Sequence, residues 1–252
     1  MTPTRIILVR HGQSQGNVAA ELASKEHLER IEVPARDPDV ELSGLGVEQA
    51  RAVGTWLAAL PGADRPEVLW TSPYRRARQT AEEAMDVAGL ELPVRVDERL
   101  RDRDMGITDM LTAAGIQARY PEETERREWL GKFYYRPPGG ESWADVVQRV
   151  RGVLADLAAV PEGTTVLVTA HDVVNLLFCY VADGMDEGTV LETSRTNGLC
   201  NAAICRLHRD TEALTGWVLD DYNISSHLTE QGVRVTDQPG ASDEVGPEPS
   251  DG

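Results

Sequence analysis

The sequence predicts an α/β fold, a three-layer sandwich with a mostly parallel central sheet and helices on both faces. Three observations predict it. The β-branched apolar runs at residues 5–10 and 164–169 read as central strands buried on both sides. The stretches between carry apolar residues at helical spacing. Strands and helices alternate along the chain, the order that a parallel sheet requires.

Arg5–Arg10 (RIILVR) ends in His11-Gly12, a strand emptying into a loop. Residues 12–30 hold an irregular turn and then a helix, and Pro34 to Pro38 impose an extended loop. Over Ser43–Leu60 the residues Leu45, Val53, Trp56, Leu57 and Leu60 fall near helical spacing, with Ser43 as N-cap and Pro61-Gly62 as the stop. Glu67–Trp70 is a second short strand. A helix then starts at Thr71-Ser72-Pro73 and runs to the neighbourhood of Ala88, and Val94 and Val96 mark an edge strand. Residues 100–140 are polar, rich in Arg and Glu and broken by Pro121, Pro137 and Pro138, which reads as an insertion or lid outside the core.

Ser142–Val160 is the clearest helix, with Trp143, Val146, Val147, Val150, Val153, Leu154 and Leu157 on one side and a capping-box start from Ser142 and Asp145. Thr164–Thr169 runs straight into Ala170-His171, and a helix follows through Val181. Leu199–Leu207 and Trp217–Leu219 read as late strands. Residues 1–229 make one domain. From Glu230 onward the composition is acidic residues, Gly, Pro and Ser, the pattern of a disordered tail over 230–252.

The formal net charge of −17 repels nucleic acid and anionic membrane surfaces, so neither is an expected partner. An anion-binding enzyme with this charge must supply its positive potential locally, from a few arginines in a pocket. The three cysteines, Cys179, Cys200 and Cys205, form neither a disulfide framework nor a zinc ribbon. No signal peptide or membrane-spanning run is evident, which points to the reducing cytoplasm. The oligomeric state is left open, a homodimer included.

Ligand sites in such sheets form beyond the carboxyl ends of the strands. Three predicted strands deliver His11, Arg76 and His171 to that edge, with Arg10 beside His11. A neutral imidazole nitrogen can attack phosphorus, and a planar guanidinium can bind two phosphoryl oxygens at once. Gly12 permits close backbone approach.

The run Arg10-His11-Gly12-Gln13-Ser14-Gln15-Gly16-Asn17 resembles the RHG signature of the histidine phosphatase superfamily, which includes cofactor-dependent phosphoglycerate mutases. The resemblance continues in order over residues 5–205. Thr71-Ser72-Pro73-Tyr74-Arg75-Arg76-Ala77-Arg78-Gln79-Thr80-Ala81 is similar to the family's TSxxxRAxQTA segment, Pro138-Gly139-Gly140-Glu141-Ser142 to its PxGES helix start, and Ala170-His171 to its second histidine. The resemblance implies a phosphoglycerate mutase-like fold. It implies a phosphate pocket of Arg10, His11, Arg76 and His171, with Asn17 supplying an amide contact; Glu141, otherwise simply part of a helix start, is a further candidate substrate contact.

Two departures stand out. The family's proton donor is usually a Glu in a segment like LxExxxG, and Leu100-Arg101-Asp102-Arg103-Asp104-Met105-Gly106 places Asp102 there. That shorter, more acidic carboxyl either donates the proton or leaves the task to Glu141 or water. Asp172 stands where Gly is usual after the second histidine, either repelling highly charged substrates or capping the next helix.

The resulting expectation is a histidine acid phosphatase-like phosphomonoesterase that hydrolyses a small phosphorylated substrate through a phosphohistidine on His11. It needs no cofactor and no metal: the five histidines include no HxH or HExxH spacing. A phosphoglycerate mutase-type phosphotransferase and a noncatalytic phospho-ligand binding protein are the alternatives. Specificity is expected to reside in residues 100–140, where Tyr134, Tyr135 and Arg136 sit near prolines. Lys132 and Arg136 are candidates to meet a second anionic group or to offset local acid.

Overall fold

The computed structural model describes residues 4–33 and 35–237. In chain order the elements are β1 (Arg5–Arg10), α1 (Gln15–Lys25), α2 (Gly44–Ala59), β2 (Val68–Thr71), α3 (Arg75–Ala88), β3 (Val94–Val96), α4 (Ala113–Arg119), α5 (Pro121–Tyr134), α6 (Trp143–Leu157), β4 (Thr165–Ala170), α7 (Asp172–Asp183), α8 (Glu187–Thr196), β5 (Ile204–Arg209), β6 (Trp217–Ile224) and α9 (Ser226–Glu230). The six strands form one sheet in the order β3-β2-β4-β1-β5-β6. The first four are mutually parallel, and β5 and β6 add antiparallel.

Alternation along β1 shows why this is a sandwich. Ile6 and Leu8 point into one core with Val166, Val168, Phe133, α6 and α7, whereas Ile7 and Val9 point into a second core with Leu69, Leu167, α2, α3 and Leu228. Both faces are apolar because both are covered. The predicted caps are present: Ser43 accepts from Gly46 N, and Ser142 and Asp145 form a reciprocal capping box. The short β3 has its valines about half exposed, as fits an edge strand.

Several expectations need correcting. Residues 100–140 are not all outside the core, since Leu100, Phe133 and Tyr135 are buried and Phe133 packs against Trp143. That segment also folds into α4 and α5, the latter kinked at Gly131, where φ is +75°. Helix α8 has only Val190 buried, too thin an apolar stripe to announce itself in the sequence. The strand expected from Leu199 begins at Ile204, because residues 199–203 turn around His11 instead: Ala202 N and Asn201 Nδ2 donate to the His11 carbonyl.

The expected disordered tail also begins too early. Val233 and Val235 pack against the second core, Gln49 Nε2 donates to Arg234 O, and Thr236 Oγ1 donates to Asn201 Oδ1. Hydrophobic contact and backbone pairing hold residues 231–237 in spite of their polar company; residues 238–252 lie outside the described residues. Among the described residues no helix is long and apolar enough to cross a membrane.

Candidate active site

Strand register brings the chemistry together. Thr71 pairs with Thr169, and Arg10 pairs with Ala170. Ser72, His171 and His11 therefore leave three neighbouring parallel strands at one level, at their carboxyl ends. The loop after β1 is pinned by the close passage of two glycines: a Cβ on Gly12 would lie 2.4 Å from Gly46 O, and one on Gly46 would lie 2.0 Å from Gln13 O. No side chain fits at either position. Thr80 ties this loop to α3, accepting from Gly12 N at 3.1 Å and donating to Arg76 O at 2.7 Å.

The structure brings Arg10, His11, Arg76, Asp102 and His171 into one cluster. The His11 and His171 rings are 5.2 Å apart, and ligating atoms of His11, Asp102 and His171 all lie within 4.8 Å of one another. His11 Nδ1 sits 2.7 Å from Gly12 O. A carbonyl only accepts, so Nδ1 holds the hydrogen and Nε2 carries the lone pair. Burial, reinforced by the charges of Arg76, His171 and Arg10, holds the His11 pKa well below its ordinary value and keeps that lone pair free.

His171 has a defined tautomer too. Asp102 Oδ2 lies 3.2 Å from His171 Nδ1, and a carboxylate only accepts, so the ring hydrogen is on Nδ1. Nε2 then accepts from Ser72 Oγ at 2.8 Å, and that hydroxyl oxygen in turn accepts from Tyr74 N at 3.2 Å. Burial lowers the His171 pKa in spite of Asp102, consistent with a neutral ring. Burial also opposes ionisation of Asp102, but His171 and Arg76 outweigh it and hold that carboxyl well below the usual range. The pair is a neutral imidazole and a carboxylate, with Nδ1–H facing the acceptor.

Arg76 is buried and meets two carboxylates. Nη1 donates to Asp37 O (2.8 Å) and Asp37 Oδ1 (3.0 Å), and Nη2 donates to Asp37 Oδ2 (3.3 Å) and Asp102 Oδ2 (2.9 Å). The Arg76 guanidinium lies over the Tyr74 ring, which meets His171 edge-to-face. Arg10 is fully buried and donates from Nη1 to Leu199 O.

Asn17 lies nearby with its amide engaged locally. Its Oδ1 accepts from Ser14 N and Ser14 Oγ as the capping partner of α1, and Asn201 Nδ2 reaches it at 3.3 Å. Glu141 does not join the cluster. It accepts from Arg101 Nη2 (2.6 Å), Arg149 Nε (3.1 Å) and Asp104 N (3.1 Å). In the free site Glu141 braces the 101–104 segment that carries Asp102.

Arg136 pairs with Asp145 and so offsets local acid, whereas Lys132 donates to Ser194 Oγ and lies over the Trp143 ring. Tyr134 bonds Glu187, and Tyr135 donates to Glu123. Asp172 opens α7, where burial raises its pKa against the pull of Arg10.

Sequence reasoning missed Asp37, Ser72, Thr80 and Asn201. Ser72 and Thr80 lay inside a quoted motif and were legible as small hydroxyls flanking Arg76. Asp37 and Asn201 carry no local signal, since only the fold brings them in.

Residues 6–224 match the sequence profile of the histidine phosphatase superfamily, branch 1. The chain belongs to this family. It is 33% identical over 220 residues to a 2,3-bisphosphoglycerate-dependent phosphoglycerate mutase of Methylorubrum populi, covering 85% of this chain and 95% of that protein. A solved mycobacterial glucosyl-3-phosphoglycerate phosphatase superposes with a TM-score of 0.69 at 30% identity, covering 88% of this chain and 99% of that one. Bacillus stearothermophilus YhfR, at 23% identity and a TM-score of 0.71, shows the shared fold alone.

As a member of this superfamily the chain is an enzyme of phosphoryl chemistry, phosphatase and mutase activities both being found among its relatives. A metal is a separate question. Among the described residues, His11, Asp102 and His171 form the one group spaced to hold an ion. Arg76 already engages Asp102 Oδ2, and with Arg10 it sets two cations beside that place, which opposes a dication.

Proposed function

We propose that this histidine phosphatase superfamily member is a phosphomonoesterase that hydrolyses a small phosphorylated substrate through a phosphohistidine on His11. One observation carries the reading: Nδ1 of His11 is committed to Gly12 O, which leaves an unprotonated Nε2 in a buried cluster with Arg10, Arg76 and His171.

In the first step Nε2 attacks phosphorus, and the P–N bond forms as the bond to the leaving oxygen breaks. Arg76, Arg10 and His171 Nδ1–H stabilise the charge on the equatorial oxygens. The leaving oxygen takes a proton from Asp102. That carboxylate is ionised in the free site; as substrate binds, His171 Nδ1–H turns to the phosphoryl oxygens and the phosphoryl dianion comes beside the carboxylate, which then takes up one proton from solvent. Water then adds at phosphorus, the P–N electron pair returns to Nε2, and the water proton passes to Asp102.

A mutase reading has one observation in its favour, the 33% identity to phosphoglycerate mutases. Rapid alkaline quench with a labelled aryl phosphate tests the main proposal. An alkali-stable, acid-labile phosphoenzyme is expected in the wild type and absent from His11→Ala, whose turnover falls by at least ~10³-fold. Full hydrolysis by His11→Ala would overturn the reading, and interconversion of phosphoglycerates faster than phosphate release would favour the mutase.

A further inference from the structure

We propose that Asp37 is a built-in competitor for the phosphoryl group: it occupies the fork of Arg76 in the free enzyme and must let go before substrate binds. The inference rests on the phosphate-site reading above and adds to it a residue that sets affinity.

A guanidinium has five N–H donors. In Arg76 four are spent, two from Nη1 on the Asp37 carbonyl and Oδ1, and two from Nη2 on Asp37 Oδ2 and Asp102 Oδ2. Asp37 thus holds the two-point geometry that a phosphoryl group would use. A substrate cannot take it while both carboxylates stay. Asp102 is the better held of the two, since its Oδ2 also meets His171 Nδ1 and its Oδ1 accepts from Arg103 N at 2.9 Å.

Asp37 lies instead in a one-turn 3-10 segment, Asp37–Asp39, on the connection between α1 and α2. The turn is anchored below by buried Val40 and Leu42, and a cavity of about 200 Å³ lined by Gln15, Ala35, Asp39, Val40 and Glu41 flanks it. The turn has room to shift without disturbing a strand or a helix.

The charges around Asp37 make the competition sensitive to protons. Arg76 and Tyr74 face it from the start of α3, and Asp102 and Asp109 face it from the segment after β3. Burial, with the two like charges adding to it, pushes the Asp37 carboxyl up in spite of Arg76. A protonated Asp37 releases the guanidinium. Phosphate binding is therefore coupled to proton uptake, and affinity falls as pH rises through the Asp37 titration.

The test is calorimetric binding of inorganic phosphate to the full chain and to Asp37→Asn, at neutral and acidic pH and in buffers of different ionisation enthalpy. Asp37→Asn is expected to bind phosphate roughly tenfold tighter at neutral pH, the scale of one hydrogen bond to a charged group. It is also expected to take up fewer protons than wild type and to show a flatter affinity profile with pH. Asp37→Ser repeats the measurement should the amide disturb the turn, and thermal melting checks that both variants are folded. Equal or weaker phosphate binding by both variants overturns the proposal, because a residue that only positions Arg76 would weaken binding when replaced. The phosphoenzyme assay separates the two claims. Phosphohistidine on His11 with unchanged phosphate affinity sinks the role of Asp37 alone, whereas tighter binding without phosphohistidine sinks the catalytic reading alone. Absence of phosphate binding in every protein overturns both.

Discussion

Replacing Glu141 distinguishes a brace from a ligand contact. Its carboxylate accepts from Arg101 Nη2, from Nε and Nη2 of Arg149 and from Asp104 N, at 2.6–3.2 Å. The side chains of Glu141 and Arg149 are only 14% and 8% exposed, so the pair lies largely out of water. Removing one member of a buried pair costs about 3–5 kcal/mol, chiefly from the charge left behind. Here the loss is smaller, because Arg149 keeps its bonds to Arg99 O and Asp102 O, and the more exposed Arg101 contributes little. Glu141→Ala should therefore lower the unfolding free energy by about 2–4 kcal/mol, a large part of the ~5–15 kcal/mol of a typical domain.

Urea denaturation measures that loss, and the double variant with Arg149→Met tests its origin. The double variant should recover part of the stability, since the orphaned cation is gone. Turnover of folded Glu141→Ala should fall through displacement of Asp102, with little change in phosphate affinity. A stability loss below ~0.5 kcal/mol joined to a raised KM would refute the bracing role and restore Glu141 as a substrate contact.

Two further variants probe the histidines. Ser72→Ala removes the hydroxyl that directs a hydrogen to His171 Nε2, so the opposite tautomer becomes available; kcat for an aryl phosphate should fall roughly 10–100-fold, an effect of about 1.4–2.7 kcal/mol, with the fold intact by circular dichroism. His227 is buried and its pKa is lowered by burial to about 4. A base whose folded pKa lies below its unfolded value keeps its full stability contribution above the unfolded pKa and loses it as pH falls toward the folded one. Relative to His227→Gln, wild type should therefore lose about 2 kcal/mol between pH 7 and pH 5 in urea melts, and parallel pH profiles would refute the assignment.

The legible parts of this protein were those whose cause is local. The RIILVR and TTVLVT runs name their strands because a strand buried on both faces must be apolar at every position, and Ile6 through Val9 are indeed divided between two cores. The Ser142 and Asp145 pair names a helix start because both hydrogen bonds of a capping box lie within one turn. His11 and His171 were legible through motifs at strand ends. Residues 231–237 were not, since their order comes from Gln49, Asn201 and the second core, all distant in sequence. The surroundings of Glu141 were not legible for a related reason: a motif gives the position of a side chain, but the two arginines that claim it come from other places in the chain.

The same contrast bears on how an enzyme with a formal charge of −17 handles an anion. Long-range attraction is not available to it, and a phosphoryl group must approach against the field. Two buried arginines cannot wait unpaired at the end of that approach, because an isolated cation out of water is costly. The cluster meets both conditions by keeping Asp37 and Asp102 on Arg76, which leaves the free site close to electroneutral. Affinity then depends on exchanging one carboxylate for the phosphoryl group and on the proton that accompanies the exchange. Increasing the positive charge of the pocket is thus not the only route to tighter binding; removing an internal rival is another, and the geometry at Asp37 identifies which rival is least firmly held.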